Sequence, residues 1–318
     1  MLRSIERHRT AVLSCLLFVS LIIGLVTHAH PAQAARITLR VVQYNVYYGK
    51  GTDEIYNLHR QVALLVSLQP DIVSLNEVLP GEANTYKALL TSATGVTWYS
   101  HHIPAQSDGT GNQILSRHPL ISTGTYFMRT NGQYSRGIAQ ATIDVEGTQV
   151  NFFSTHLDHA NESVRAAQVD EMKAFLSGFA EPRIVAGDFN ASPDKREILS
   201  IAEDYDDTWE KARAGNSAIA HPDNPVGPNT RTYRDRIDYI FYSKGAADLA
   251  VTESKVPDQR DLSDQNVRKR VGTSDDLGVR PSDHNLILAI FRLNVGPALR
   301  ITGAQRKGNK LFVFGENF

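Results

Sequence analysis

The sequence predicts a mixed α+β fold of largely antiparallel sheets with helices packed outside them. Two observations carry this expectation. Segments with strand character outnumber segments with helical spacing, and many neighbouring strands are close enough in sequence to pair as hairpins.

Taken in order, residues 37–46 (ITLRVVQYNV) alternate and are rich in β-branched side chains, as a strand requires. Residues 53–68 place Ile55, Leu58, Val62 and Leu65 at helical spacing, with Asp53 near the start. Residues 69–78 (QPDIVSLNEV) open on a Pro-Asp turn and continue as a buried strand. Further strands are predicted at 97–103, 112–117, 137–145, 148–157, 182–189, 236–243 and 285–293. A second amphipathic helix spans about 162–179, with Met172, Phe175, Leu176 and Phe179 on one face. Residues 244–282 read as a long polar stretch containing Arg268-Lys269-Arg270, either a solvated insertion or a substrate-binding loop. Residues 221–228 form another irregular loop, and no internal repeat is visible within 35–294.

Composition narrows the class without naming a function. Hydrophobic residues make up 42% and charged residues 21% of the 318, ordinary values that disfavour disorder, collagen-like repeats and coiled coil. The net charge of -1 supplies no general pull toward nucleic acid or anionic membrane. Residues 1–34 read as a secretory signal peptide: Arg3, Arg7 and Arg9, an apolar run from Ala11 to about Val26, then the small-x-small pattern Ala32-Gln33-Ala34. The competing reading is an uncleaved anchor, but the run falls short of the ~20 residues a full span needs. The single cysteine, Cys15, lies inside this segment. Cleavage after Ala34 would leave a thiol-free chain with 30 basic and 33 acidic residues, a net charge of -3, and no transmembrane segment. No obligate protein partner is evident in the sequence.

The informative feature is where polar residues interrupt apolar strands. Asn45 ends the first strand, and Glu77 follows the apolar run of the second. His156 and Asp158 close FFSTHLDH, while Asp188 and Asn190 close RIVAGDFN. Asp238 interrupts RIDYIFYS, and Asp283 and His284 open SDHNLILAIF. A charge in a buried strand is costly unless it is paired or binds a metal. If these strand ends converge, they form an oxygen-rich pocket flanked by imidazoles. Such a pocket suits Mg²⁺ or Mn²⁺, with Ca²⁺ as a further hard cation, and does not suit zinc. An adjacent Asp-His pair supplies a base whose ring a carboxylate can orient. Together these groups fit attack of water on phosphorus.

At these residues the sequence resembles the endonuclease/exonuclease/phosphatase superfamily, which includes deoxyribonuclease I. The motifs VVQYNV, IVSLNEV, GNQILSRHPL, FFSTHLDH, IVAGDFNASPD, RIDYIFYS and PSDHNLI occur in the family order across roughly residues 37–293. The resemblance implies an α/β fold, a four-layer sandwich of two mostly antiparallel β-sheets flanked by helices. It implies a catalytic domain over 35–294. It assigns Glu77 as main metal ligand, assisted by Asn45 and Asp283. His284 becomes the general base oriented by Asp238, and His156 stabilises or protonates the departing oxygen. Asp188 and Asn190 bind metal or hold the phosphate and nucleophile. Arg136 contacts a phosphate oxygen, and Asn112 supports the pocket. Asp158, His159, Arg165 and Gln168 of and after the THLDH motif are left open between substrate-pocket and helix-cap roles, Asp158 being carried as a substrate-binding candidate.

The substrate class stays open among nucleic acid, phospholipid head groups and inositol phosphates. The leading expectation is a secreted, metal-dependent phosphodiesterase, endonuclease-like in its chemistry. Its rivals are a phosphomonoesterase, a phospholipase C or sphingomyelinase-like enzyme, and a non-catalytic binding module on the same scaffold. Leu79 stands where deoxyribonuclease I-like members carry a groove-inserting arginine. No hairpin with exposed adjacent aromatics for membrane insertion is evident in the sequence. Local basic surface could come from Arg165, Arg231, Arg234, Arg236 and Arg268–Arg270. Residues 295–318 fall outside the catalytic pattern, with two short strands and a turn at Lys307-Gly308-Asn309. They read either as the opening of an immunoglobulin-like β-repeat or as a hairpin packed on the catalytic domain.

Overall fold

The structure is a computed structural model that describes residues 35–130, 132, 134–221, 230, 235–258, 280–296, 300–308 and 310–316. The expected signal segment 1–34 with Cys15, most of the 221–228 loop, Arg231, Arg234 and the Arg268–Arg270 cluster lie outside the described residues.

In chain order the strands are β1 (Ala35–Asn45), β2 (Ile72–Val78), β3 (Tyr99–Pro104), β4 (Gly111–Ser116) and β5 (Leu120–Phe127). They continue as β6 (Gly137–Val145), β7 (Thr148–His156), β8 (Arg183–Asp188), β9 (Tyr205–Asp207) and β10 (Ala218–Ile219). Last come β11 (Asp238–Ser243), β12 (Leu249–Lys255), β13 (Ile287–Val295), β14 (Arg300–Lys307) and β15 (Lys310–Glu316). The helices are α1 (Leu58–Leu68), α2 (Glu82–Thr94), α3 (Glu162–Leu176), α4 (Arg196–Ile201) and α5 (Thr208–Ala214). One sheet runs β10-β12-β13-β1-β2-β4-β3 and the other β5-β6-β7-β8-β11-β9.

Period-two alternation explains the layering. Val41 and Phe152 join Ile240 and Phe291 in an apolar core fed by both sheets. Their chain neighbours point the other way. Val42 packs with Val62, Leu65 and Tyr86 beneath α1 and α2. Phe153 and Phe241 pack with Val169 and Met172 beneath α3. Each central strand is therefore buried on both faces, which is why it reads as a near-continuous apolar run. The result is helix, sheet, sheet, helix: the four-layer sandwich.

Most pairings are antiparallel, but each sheet has a parallel pair near its centre. β1 and β2 are parallel and joined through α1; β7 and β8 are parallel and joined through α3. This correspondence leaves no trace in sequence similarity. It sends the C-terminal ends of four strands to one edge of the sandwich, where ligands of open sheets commonly bind.

Several expectations are corrected. The first helix begins at Leu58, not at 53, because Asn57 is its cap and accepts from the His59 N–H. Asp53 instead pairs with Arg60 at 2.9 Å, and Ile55 is exposed. Residues 244–282 are not one loop, since Leu249–Lys255 forms β12 against β13. Helix α2 was not expected: Ala83, Tyr86, Leu90 and Ala93 line its buried face, but threonines and short side chains dilute the pattern. Strand β5 also escaped notice, because much of it faces solvent. β14 and β15 pair with each other, and Leu311, Phe312, Val313 and Phe314 are exposed. The hairpin thus exposes Phe312 and Phe314, but Val313 stands between them and they are not an adjacent aromatic pair. None of the described helices is long and apolar enough to cross a membrane.

Candidate active site

The expected polar residues gather where the apolar strands run out. Parallel pairing sets Asn45 opposite Asn76, next to Glu77, and His156 opposite Asp188. Antiparallel β11 starts with Asp238 opposite Asp188. β13 pairs Ile287 with Gln43, so Asp283 and His284 enter at the same edge.

Asn45 Nδ2 donates to Glu77 Oε1 and to Asp188 Oδ2, each at 3.0 Å, so one amide joins carboxylates from both sheets. Asp238 Oδ2 lies 2.8 Å from His284 Nδ1. Its other oxygen accepts from Gln43 Nε2 at 3.3 Å. Asp188 Oδ2 sits between the two imidazoles, 3.6 Å from His156 Nε2 and 3.7 Å from His284 Nε2. Asn190 Nδ2 donates to Leu157 O at 3.1 Å and to His156 Nε2 at 3.0 Å. The bond to the carbonyl fixes the amide's orientation, so His156 Nε2 accepts and its own proton sits on Nδ1.

The electrostatics separate the two histidines. Burial works to lower the pKa of His284, but Asp238 and Asp188 outweigh it and raise it to about 10. Burial, with Arg136 and His284 adding to it, pushes His156 well below its usual value. Burial and the facing Asp238 push the Asp188 carboxyl up to about 7. Burial also raises Glu77, against the opposing hydrogen bond from Asn45. The edge therefore holds one imidazolium, one neutral imidazole and a crowded set of carboxylates.

A cavity of about 310 Å³ opens here, lined by Tyr47, Tyr48, Glu77, Gln106, Tyr134, Arg136, His156, His159, Asp188, Asn190, Asp283 and His284. A larger one of about 410 Å³ lies by Trp98 and Leu90, remote from this chemistry. Asp188, Asp238 and His284 offer ligand atoms within 4.8 Å of one another, all buried. Two of those three are already committed to each other, however. Glu77, Asp188 and Asp283 suit a cation better: all three line the cavity, and Asp283 Oδ1 is buried without a hydrogen-bond partner. An all-oxygen donor set fits Mg²⁺, Mn²⁺ or Ca²⁺. Asn45 presents its NH₂ to the carboxylates while its Oδ1 accepts from Tyr47 N at 3.1 Å. Ligation through that oxygen, as expected from the sequence, would need the amide turned over.

Asp158 and Asn112 are not among the residues that line the cavity. Asp158 is fully buried, and its Oδ1 accepts from the Ala160 and Asn161 N–H groups at 3.0 and 2.8 Å. Backbone donors at the turn into α3 have captured the carboxylate. Asn112 lies one layer down, donating to Gly137 O and accepting from Asn76 Nδ2, each at 2.9 Å. It supports the site without lining it. Arg165 pairs with Glu197 at 2.6 Å, and Gln168 accepts from Asp158 N and donates to Thr130 O. Both brace the loop, whereas His159 does line the cavity.

Other residues of the site went unflagged. Gln43 and Asn76 are fully buried. Gln43 Nε2 donates to Asn76 Oδ1 at 2.6 Å, and that oxygen also accepts from Asp188 N at 3.0 Å. They are polar interruptions of apolar strands, the same signal that singles out Asn45 and Glu77. Tyr47, Tyr48, Gln106 and Tyr134 line the mouth and gave no such signal.

The family model described as "Endonuclease/Exonuclease/phosphatase family" matches residues 42–284. A Caenorhabditis elegans protein described as a putative neutral sphingomyelinase is 26% identical over 249 residues, covering 64% of this chain and 57% of the relative. A Drosophila melanogaster protein of the same description is 27% identical over 225 residues, covering 61% and 49%. The chain thus spans about half the length of these curated relatives. Among solved structures, a Bacteroides vulgatus endonuclease/exonuclease/phosphatase aligns with a TM-score of 0.62 and 18% identity, over 81% of this chain and 99% of that one. A Bacteroides thetaiotaomicron mannosyl-6-phosphatase aligns at 0.57 and 18%, over 79% and 98%. These likenesses show the fold.

Proposed function

Because the chain belongs to the endonuclease/exonuclease/phosphatase family, whose members are phosphoester hydrolases, we propose that it is an exported, divalent-metal-dependent phosphodiester hydrolase. The observation that carries this reading is the placement of two unlike imidazoles on either side of Asp188, with Glu77 and Asp283 beside them.

Glu77, Asp188 and Asp283 would hold the cation, with Asn45 tying the first two together. When bound, such a cation would supply positive charge to the phosphate oxygens and would offset the carboxylates that keep His284 protonated. His284 Nε2 then takes the proton of the attacking water, while Asp238 fixes Nδ1–H and stabilises the imidazolium formed. Arg136 is buried and lines the cavity, placed to bind a phosphate oxygen. Asn190, with both amide hydrogens taken by Leu157 O and His156 Nε2, fixes the His156 ring at the cavity wall. His156, kept neutral by burial and by Arg136, holds its proton on Nδ1 and uses Nε2 to orient the Asn190 amide beside Asp188.

The two curated relatives support a second reading, phospholipase C-like cleavage beside a lipid head group. The purified chain should be assayed with Mg²⁺ and Mn²⁺ against DNA, RNA, sphingomyelin, inositol phosphates and bis-p-nitrophenyl phosphate. EDTA should stop turnover and added cation restore it. Glu77→Ala or His284→Ala should cost at least ~10²-fold in kcat. Wild-type rates in either variant, or full activity in chelator, would sink this mechanism. Export is tested by N-terminal sequencing of the chain from culture medium: a start at Ala35 is expected, and retention of residues 1–34 would refute cleavage.

A further inference from the structure

We propose that Tyr47 and Tyr48 form a subsite for the organic group esterified to the phosphate, and that this group is a neutral, polyhydroxylated ring. The inference rests on the hydrolase reading above and adds what lies beyond the phosphate.

The backbone is the first observation. Tyr47, Tyr48 and Gly49 have φ of 46°, 52° and 75°, so three successive residues adopt the left-handed conformation. Only glycine, and less often asparagine or aspartate, enters this region readily; two consecutive tyrosines there are strained. The turn is closed by Gly49 N donating to Val46 O and Lys50 N to Tyr47 O, at 3.0 and 2.9 Å. Buried Gln61 braces it from below, its Nε2 donating to Val46 O at 2.7 Å and to Pro281 O at 2.8 Å. A side chain in place of Gly49 would strike Glu82, Leu58 and Tyr56 at 2.7 Å. The surroundings thus impose an unfavourable conformation whose effect is to set two phenol rings at the cavity mouth.

The lining of the cavity selects the ligand. Among the described residues no aliphatic side chain lines it, so an acyl chain finds no partner among them. The Tyr47 and Tyr48 rings are 6.0 Å apart and tilted by 55°, and those of Tyr134 and His159 are 5.5 Å apart and tilted by 33°. Neither pair is the parallel slot that a planar base fills. The buried Arg136 guanidinium lies 5.8 Å from the Tyr134 ring centre, and its Nε has no hydrogen-bond partner. That fixed positive charge disfavours a quaternary ammonium at the same rim. A ring with C–H faces and hydroxyl edges satisfies the rest: faces against the phenols, hydroxyls toward Gln106 and the Tyr48 oxygen, since the Tyr47 hydroxyl donates to Glu54 at 3.0 Å.

The test compares two glycerol phosphodiesters with the purified full chain and Mg²⁺: glycerophosphoinositol, which bears such a ring, and glycerophosphocholine, which does not. Wild type should favour the inositol ester in kcat/KM on the order of tenfold. Tyr48→Leu and Tyr48→Asn should collapse that ratio toward one, chiefly through KM. Asparagine tolerates the left-handed region, so Tyr48→Asn should melt no lower than wild type, which separates recognition from support. An absent or reversed preference in wild type, or an unchanged ratio in both variants, overturns the inference. If neither ester is cleaved while bis-p-nitrophenyl phosphate is, the subsite assignment alone fails. If no phosphodiester is cleaved, the hydrolase reading fails with it.

Discussion

Asp238 and His284, 46 residues apart in sequence, are joined by a 2.8 Å contact between Oδ2 and Nδ1. The carboxylate can only accept, so the imidazole proton is held on Nδ1 and Nε2 is directed at the cavity. Asp238→Asn preserves shape but offers an NH₂ that can drive the ring into the opposite tautomer. We expect kcat to fall by ~10²–10⁴-fold, with thermal stability much less affected. Steady-state kinetics beside a melting curve checks this. A variant within a factor of about two of wild type would mean that Asp238 does not position His284.

The crowded carboxylates make the cation-free protein sensitive to pH. His284 is raised from 6.5 to about 10, so its contribution to stability is fully present below 6.5 and is lost as pH rises through 10. Asp188 is raised from 3.8 to about 7, so its folded state favours the protonated form, and that contribution too is lost as pH rises, through 7. Both signs agree. In chelator the melting temperature should fall across this range, and His284→Ala should flatten the alkaline part of the decline. Binding Mn²⁺ should release protons, so its affinity, followed by calorimetry, should rise with pH over the same window. A pH-independent affinity would show that Mn²⁺ does not bind among these groups.

Glu171 fastens the chain segment that leads to Arg136. Its carboxylate accepts from Tyr126 OH at 3.1 Å and from the Arg129 and Thr130 N–H groups at 2.8 Å each. Burial works to raise its pKa, but hydrogen bonds from Thr130, Arg129 and Tyr126 prevail and lower it below 4.5. Its contribution is therefore present above 4.5 and lost as pH falls through the lowered value. Glu171→Gln should cost about 1 kcal/mol at neutral pH in urea unfolding, and progressively less toward acid. A deficit that persists in acid would point to lost shape complementarity in place of lost charge.

Much of the site was legible because its residues violate a local rule. Asn45, Glu77, His156, Asp188, Asp238 and His284 interrupt or end apolar strands, where an unpaired polar group is costly. Gln43 and Asn76 obey the same logic but sit where an amide looks ordinary, and only sheet pairing brings them beneath Asp188. Of the two roles open to Asp158 the structure shows the one at the helix start: backbone N–H groups leading into α3 hold its Oδ1. Tyr47 and Tyr48 were hidden for a different reason. Their importance lies in a backbone conformation that tyrosine does not itself favour, imposed by Gly49 and by Gln61 on another element. The start of α1 was likewise misread, because Asp53 pairs with Arg60 and leaves the cap to Asn57.

The bridge that Asn45 builds between Glu77 and Asp188 also bears on cohesion. The two carboxylates belong to different sheets, and residues 35–318 contain no cysteine from which a covalent staple could be made. Anything that grips both carboxylates acts as a rivet through the sandwich, binding the closed layers and not the open chain. Catalytic readiness and mechanical closure would then be one event, reversible on removal of the ion, across residues 35–318 that carry no thiol to oxidise.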